Sequence, residues 1–297
     1  MSRAIRSLLF VPGDSERKLA KARGSTADAL VLDLEDSVAQ ERKAFARTLT
    51  AEYLKSERSQ AGPSLWVRVN PVSTPDALLD LAAMVACQPM GILLPKAEGP
   101  PDLQQVSHYL DALEAREGLP IGGIAILPVV TETARATVAI LGYRANAIPR
   151  LFGLTWGAED LSADIGAASN LDADGHLSLT YRMARSLTLL TAKACGVEAI
   201  DTVFPDFRNL QALEASCIAS RREGFSGRFA IHPDQVGVIN SAFSPSPEDI
   251  ALAERVVAAF ESAPGAGTVA LDGRMLDKPH LVQAKKILAL RDAFASR

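Results

Sequence analysis

Eight short apolar runs separated by amphipathic stretches are the feature that most restricts how this chain can fold. The intervening stretches carry apolar residues at three- and four-residue spacings, which is typical of helices that bury one face. The runs occupy residues 6–13, 28–36, 64–70, 91–98, 122–132, 149–160, 197–207 and 227–233. Because most runs precede a helical stretch and gain polar residues at their carboxyl ends, the pattern predicts an α/β fold, a (β/α)8 TIM barrel rather than an open doubly wound sheet.

The chain continues beyond the eighth run with a different pattern. Residues 243–263 predict an amphipathic helix that has Pro and Ser at its start, and residues 280–296 predict a final helix. A Gly-rich break over residues 264–279 separates the two. We therefore expect two parts: a catalytic barrel domain over residues 1–240 and a C-terminal helical extension over residues 241–297.

Composition and charge exclude several classes of partner. The net charge of −4 disfavours a nucleic-acid partner that is held by charge. No apolar run reaches the ~20 residues that span a bilayer, and the first residues lack the pattern of a signal peptide. Cys87, Cys195 and Cys217 stand apart from one another, which suits buried thiols in a reducing compartment. We therefore expect a soluble, cytoplasmic protein that binds neither nucleic acid nor membrane.

Two carboxylates mark the ends of neighbouring runs. Glu132 ends the fifth run and Asp160 ends the sixth. Adjacent strand ends of a barrel lie close together, so the two acids can share a Mg²⁺ ion whose other positions are left to water and substrate oxygens. No Cys or His stands beside them at ligand spacing, which disfavours Zn²⁺. The spacing alone leaves an alternative open, in which both acids are N-caps or surface acids of the helices that follow.

Two cations lie in or at the end of predicted strands. Arg68 alternates with apolar neighbours, so its side chain should share one face of the strand with Trp66 and Asn70. An arginine there needs an anionic partner, either a structural carboxylate such as Glu35 or a substrate carboxylate held by two hydrogen bonds. Lys96, at the end of the fourth run, has the same two interpretations, and a Schiff base is a third.

The second run ends in three acids, Asp33, Glu35 and Asp36. Like charges crowded at a strand end repel each other and lose solvation, so a cation must compensate them. His232, at the end of the eighth run, is interpreted as a structural hydrogen-bonding residue. Asp277 lies in the Gly-rich break, and its position alone indicates a solvated turn acid.

The ordered motifs of the chain resemble the citrate lyase beta-subunit-like proteins of the HpcH/HpaI aldolase superfamily, which includes malyl-CoA lyases and citramalyl-CoA lyases. The matching stretches fall in the same order and span nearly the whole chain. They are RSLLFVPG, ALVLDLEDSV, VRVNP, LLPKAE, TETARA, WGAEDLSADIG, RMARSLTLLTAKACGVEAIDTVFPDF, FSGRFAIHPDQVGVINSAF and GRMLDKPHLVQAKK.

The resemblance implies a TIM barrel whose C-terminal helical extension acts as a lid, in trimers or hexamers. It implies a Mg²⁺ ion that Glu132 and Asp160 hold. Mn²⁺ should replace this ion, because both metals accept octahedral oxygen ligands. It also implies that Arg68 grips the carboxylate of an oxo-acid fragment. Asp277, on the lid, would enter the site of a neighbouring subunit as the acid/base.

With that site in view, Glu35 and Asp36 are expected to bind metal waters and to orient Arg68. Arg17 and Lys18 could meet the phosphates of coenzyme A, although a solvated helix start explains them equally well.

The expected function is that of a Mg²⁺-dependent carbon–carbon lyase. It would cleave a β-hydroxyacyl-CoA, such as malyl-CoA or citramalyl-CoA, into an oxo acid and an acyl-CoA, or form the ester from these two compounds. Three alternatives stay open. One is the beta subunit of a citrate lyase complex that acts on citryl-acyl carrier protein, another is a non-catalytic barrel that binds CoA esters, and the third is hydrolysis of malyl-CoA by a thioesterase reaction.

Overall fold

The centre of the molecule is a sheet of eight parallel strands, seen in a computed structural model that describes residues 4–57, 62–145 and 148–295. The strands follow the order β5-β4-β3-β2-β1-β8-β7-β6. They are β1 (Ser7–Pro12), β2 (Ala29–Asp33), β3 (Ser64–Arg68), β4 (Gly91–Leu94), β5 (Ala125–Pro128), β6 (Gly153–Thr155), β7 (Glu198–Asp201) and β8 (Gly227–Ala230).

The two edge strands of this sheet, β5 and β6, meet and bring it round into a barrel. The N–H of Ile126 donates to the carbonyl of Arg150 at 2.7 Å, and the N–H of Phe152 donates to the carbonyl of Ile126 at 2.9 Å. Farther along, the N–H of Val130 donates to the carbonyl of Thr155 at 2.9 Å. The predicted TIM barrel is therefore confirmed.

Helices follow most of the strands and build the end of the chain. Within the described ranges, none is long and apolar enough to cross a membrane. They are α1 (Glu16–Ala22), α2 (Lys43–Glu57), α3 (Pro75–Met84), α4 (Pro100–Arg116), α5 (Ala134–Ala139), α6 (Gly142–Ala145), α7 (Glu159–Asp164), α8 (Leu179–Cys195), α9 (Leu210–Glu223), α10 (Pro233–Phe243), α11 (Pro247–Glu261) and α12 (Lys278–Ala295).

Two apolar cores lie on the two faces of the barrel wall. The larger core fills the layer between strands and helices, and the smaller one fills the barrel itself. Trp66 is fully buried in the smaller core, where its ring meets that of Phe152 edge-on at 5.0 Å. A Cβ atom on Gly91 would lie 2.2 Å from the Trp66 ring, so glycine is required beside it. The packed interior leaves room for polar side chains at the carboxyl ends of the strands.

The C-terminal extension has a core of its own. Helices α11 and α12 enclose an antiparallel hairpin of β9 (Thr268–Leu271) and β10 (Arg274–Asp277), where the sequence suggested a Gly-rich break. Asp272 and Gly273 turn the hairpin with φ of 49° and 74°, the left-handed values that a tight two-residue turn needs. The predicted division after residue 240 falls inside α10 and stays a prediction.

The last turn of the extension contacts the barrel at the amino-terminal ends of its strands, opposite the carboxyl ends. The ring of Phe294, in the last turn of α12, lies 4.2 Å from the guanidinium carbon of Arg6, which precedes β1. Arg221 of α9 also pairs with Asp249 of α11 at 2.9 Å. These two contacts hold the extension against the barrel of its own chain.

Candidate active site

Arg68 is fixed by a carboxylate on the next strand. Asp33 and Arg68 are register partners on β2 and β3, and both side chains enter the barrel. Arg68 Nε donates to Asp33 Oδ1 and Arg68 Nη2 donates to Asp33 Oδ2, each at 2.7 Å. Burial alone would raise the pKa of Asp33, but the hydrogen bonds and charge of Arg68 hold that pKa below its usual value. This pair is therefore ionised near neutral pH.

The other side of the Arg68 guanidinium meets the acids that follow β2. Arg68 Nη1 lies 3.0 Å from Glu35 Oε2 and 3.6 Å from Asp36 Oδ2, and the Phe10 ring stacks 4.8 Å from the guanidinium carbon. Burial raises the pKa of Glu35 although Arg68 and Lys96 oppose the rise. The structure thus places Glu35 between the two cations of the site, and its role toward a metal stays a prediction.

Lys96 lies at the middle of the acids. Its ammonium group contacts Glu35 and lies 3.3 Å from Asp36 Oδ1 and 3.6 Å from Asp160 Oδ1. Burial lowers the pKa of Lys96, but these carboxylates more than offset burial and raise that pKa above its usual value. A Schiff base needs a neutral amine, so this setting disfavours the Schiff-base interpretation.

The backbone at Lys96 is itself unusual. Its φ of 49° lies in the left-handed region, which costs a non-glycine residue about 1 kcal/mol. This conformation points the Lys96 N–H at Glu132, whose Oε2 accepts it. Through its backbone N–H and its ammonium group, Lys96 therefore contacts the acids that follow β2, β5 and β6.

Glu132 is a buried carboxylate with little to stabilise its charge. It is 5% exposed, and burial together with the charges of Asp160 and Glu35 raises its pKa to about 8, against the Lys96 N–H. Gly157 leaves it room, because a Cβ atom there would approach Glu132 Cγ to 3.0 Å. An ionised Glu132 therefore calls for a further positive charge nearby.

The alternative of a helix cap or surface acid fails for Glu132 and partly holds for Asp160. Thr133, not Glu132, caps α5 by accepting from the Ala136 N–H. Asp160 lies in the first turn of α7 and its side chain is 38% exposed. Both acids contact Lys96, so the structure does bring the predicted pair together.

The donor set fits a hard cation. Among the described residues, no group of three or more His, Cys, Asp or Glu side chains is placed to hold a metal ion. Glu132 and Asp160 offer carboxylate oxygens alone, and an ion held by two carboxylates takes its other ligands from water and bound substrate, as Mg²⁺ usually does.

A cavity of about 950 Å³ leads away from Arg68 and Asp33 between β1, β8 and α1. Arg17, Lys18 and Lys21 line its exposed end. The sequence interpretation missed Lys21, although its position four residues after Arg17 places it on the same face of α1. A buried end that carries Arg68 and a basic exposed end suit a long ligand that has a carboxylate at one end and phosphates at the other.

The structure contradicts the prediction for Asn70 and agrees with the one for His232. The side chain of Asn70 faces away from Arg68, where it donates to Asp80 at 2.7 Å and accepts from Lys43 at 2.6 Å. The expectation that it shares the face of Arg68 was wrong, because β3 ends at Arg68 and the alternation ends with it. His232 caps α10 by accepting from the Asp234 N–H, in agreement with a structural role.

Asp277 lies apart from these residues. It ends β10, and its backbone N–H and its carboxylate both contact His280 Nδ1. In the described part of the chain, no hydrogen bond or ion pair joins it to Glu132 or Asp160. Its entry into a neighbouring site stays a prediction.

Opposite charges that meet at the carboxyl ends of barrel strands define a barrel enzyme with its active site at that end. The sequence pattern of the HpcH/HpaI aldolase/citrate lyase family matches residues 6–233, which include all eight barrel strands. The chain belongs to this family.

Individual relatives resemble the chain over nearly its whole length. A (3S)-malyl-CoA thioesterase of Cereibacter sphaeroides (strain KD131 / KCTC 12085) is 36% identical, over 98% of this chain and 96% of the relative. The mitochondrial citramalyl-CoA lyase of Rattus norvegicus is 35% identical, over 96% of this chain and 85% of the relative. The crystal structure of CitE from Mycobacterium tuberculosis in complex with magnesium, acetoacetate and coenzyme A has a TM-score of 0.78 and 34% identity, covering 97% of this chain and 98% of that chain.

Proposed function

We propose that this protein is a Mg²⁺-dependent carbon–carbon lyase that cleaves or forms a β-hydroxyacyl-CoA of the malyl-CoA or citramalyl-CoA type. One observation carries the proposal: Arg68, fixed by Asp33, lies at the buried end of a cavity whose exposed end is basic, and its other side pairs with the acids around Lys96. A citramalyl-CoA lyase among the relatives and the magnesium and coenzyme A bound to the M. tuberculosis protein support it.

In this proposal Glu132 and Asp160 hold Mg²⁺, or Mn²⁺ in its place. When bound, the ion supplies Lewis-acid stabilisation to the carboxylate and hydroxyl oxygens of the oxo-acid half of the substrate. Arg68 fixes that carboxylate. Asp33 accepts from two of the five N–H groups of Arg68, and the remaining three serve the substrate, with Glu35 beside Nη1 as an ion-pair partner. The structural and the substrate-binding interpretations of Arg68 are therefore compatible.

The same site accounts for the long arm of the substrate. Arg17 and Lys18, joined by Lys21, bind the phosphates of coenzyme A by charge-assisted hydrogen bonds. A citryl group on an acyl carrier protein would bring a phosphopantetheine arm past the same helix, so the alternative of a citrate lyase beta subunit differs in the carrier and not in the site.

Asp277 supplies the acid/base in this proposal. It accepts the α-proton of the acyl-CoA in the condensation direction and returns a proton after cleavage. Among the described residues Asp277 makes its hydrogen bond to His280 and none to Glu132 or Asp160 of its own chain, so we place it in the site of a neighbouring copy, in a trimer or hexamer.

A second candidate is hydrolysis of malyl-CoA, favoured by the (3S)-malyl-CoA thioesterase that is 36% identical. The two reactions leave different products. Cleavage of the carbon–carbon bond releases an oxo acid and keeps the thioester, whereas hydrolysis releases free coenzyme A and no oxo acid.

The experiment that tests the proposal incubates the purified protein and Mg²⁺ with malyl-CoA, β-methylmalyl-CoA and citramalyl-CoA. Oxo acid is measured as its phenylhydrazone and free thiol is measured in parallel. Oxo acid without matching thiol supports the lyase, and thiol without oxo acid supports the thioesterase. Tight binding of the esters with neither product would indicate a non-catalytic barrel and overturn the proposal.

A further inference from the structure

Lys96 touches each of the acids that surround the proposed metal position. Its ammonium group contacts Glu35 and lies 3.3 Å from Asp36 Oδ1 and 3.6 Å from Asp160 Oδ1. Its backbone N–H donates to Glu132. Among the described residues, Lys96 is the one cation that forms an ion pair with Asp160.

The balance of charge explains why a cation belongs there. Five carboxylates contact the two cations Arg68 and Lys96; they are those of Asp33, Glu35, Asp36, Glu132 and Asp160. Arg68 gives two hydrogen bonds to Asp33 and has only part of its charge left for the others. Lys96 is therefore the main source of positive charge for the proposed metal ligands before a metal ion binds.

We propose that Lys96 is a built-in counter-cation of the metal site, which holds the ligand carboxylates together without metal and competes electrostatically with the ion. The inference rests on the proposed function, because it takes Glu132 and Asp160 as the ligands. Lys96 is then a positioning residue, and it sets how tightly the ion is held.

Two consequences follow from Coulomb's law. Without the ammonium group the metal-free site is more repulsive, so the metal-free protein is less stable. The same site attracts a divalent ion more strongly, because one like charge next to the ion has been removed. A lysine whose role is only to support the fold would lower stability equally with and without metal and leave the affinity for Mg²⁺ unchanged.

The test measures Mg²⁺ affinity by titration calorimetry, and thermal unfolding with and without Mg²⁺, for the whole chain at one fixed pH. The variant Lys96→Met keeps the length and the backbone of the residue and loses the charge. We expect its metal-free Tm to fall by several degrees, Mg²⁺ to restore most of that loss, and Mg²⁺ to bind roughly tenfold more tightly. Lys96→Arg keeps the charge and should stay close to the parent protein in both measurements.

The matched control is Lys55→Met on the exposed face of α2, which changes the net charge equally and should leave Mg²⁺ affinity unchanged. Equal or weaker Mg²⁺ binding by Lys96→Met would overturn the inference while the proposed function stands. Absence of Mg²⁺ binding by the parent protein would overturn both. If Lys96→Met unfolds when the metal is removed, Lys96→Gln replaces it as the neutral variant under the same criteria.

Discussion

Asp33 and Arg68 face each other at one register position of β2 and β3, and two hydrogen bonds of 2.7 Å join them inside the barrel. The pair fixes the guanidinium plane before any ligand arrives. A substrate carboxylate bound by Arg68, as proposed, would meet a geometry that is already built, which is the condition for efficient positioning of a reacting group.

This relationship predicts that Arg68→Lys fails almost as badly as Arg68→Ala. Lysine keeps the positive charge, but one ammonium group cannot hold Asp33 by two hydrogen bonds and also grip a substrate carboxylate. We expect kcat/KM for oxo-acid release to fall by about 10²-fold or more in both variants. If Arg68→Lys keeps most of the parent kcat/KM, then Arg68 serves the fold as an ion-pair partner and does not bind the substrate.

Burial of Glu132 predicts that the free energy of unfolding of the metal-free protein depends on pH. Its folded pKa of about 8 lies above the ordinary value of 4.5, so the folded state binds more protons between these two pH values. The stability of the metal-free protein should therefore fall as pH rises through this window. One pKa unit corresponds to about 1.4 kcal/mol, so Glu132→Gln should gain about 2 kcal/mol on the parent protein between pH 6 and pH 8.

Urea unfolding in a chelator, at both pH values, measures this difference in the free energy of unfolding. The comparison with Glu132→Gln cancels the titration of the other groups of the protein. A constant difference between the two proteins across the window would mean that the Glu132 carboxyl is not perturbed. With Mg²⁺ present the parent protein should be more stable than Glu132→Gln, because only the parent protein binds the ion.

Asp277 predicts complementation between subunits. Asp277→Asn should lose carbon–carbon chemistry by about 10²-fold or more while Mg²⁺ binding survives. Mixing inactive Asp277→Asn chains with inactive Glu132→Gln chains, and letting the oligomer re-form, should restore part of the activity, because some sites then combine an intact metal pair with an intact Asp277.

The control for this experiment is Asp292→Asn, an exposed acid on α12 that pairs with its neighbour Arg291 and should keep full activity. No recovery in spite of proven subunit exchange would place Asp277 in its own chain's site or outside the chemistry. A monomeric protein with full activity would also contradict the shared site.

Much of this architecture could be predicted because short apolar runs, typical of strands, alternate with stretches that have the three- and four-residue apolar spacing of helices. The eight strands and the helix over residues 247–261 follow from such patterns and from capping residues. The hairpin in the extension was missed, although Asp272-Gly273 between short apolar runs is a signal for a two-residue turn. The Gly-rich composition of that segment obscured the signal.

The contacts within the site could be predicted only in part. Sequence spacing places Arg68 and Asp33 on strands, but register decides that they pair, and register depends on packing across the whole barrel. The central position of Lys96 depends on a left-handed backbone that no local pattern indicates. Asn70 was misplaced because the end of a strand is the least certain part of a pattern.

The most direct test of the account compares release of oxo acid by the parent protein, Glu132→Gln and Asp160→Asn in Mg²⁺, with citramalyl-CoA and malyl-CoA as substrates. Each substitution removes a charged oxygen ligand and no core volume, so the fold should persist, as circular dichroism can verify. The account predicts oxo acid and acyl-CoA in equal amounts from the parent protein, and a rate lower by about 10³-fold or more in both variants. An unchanged rate in either variant, or no oxo acid from the parent protein with any of these esters, would contradict it.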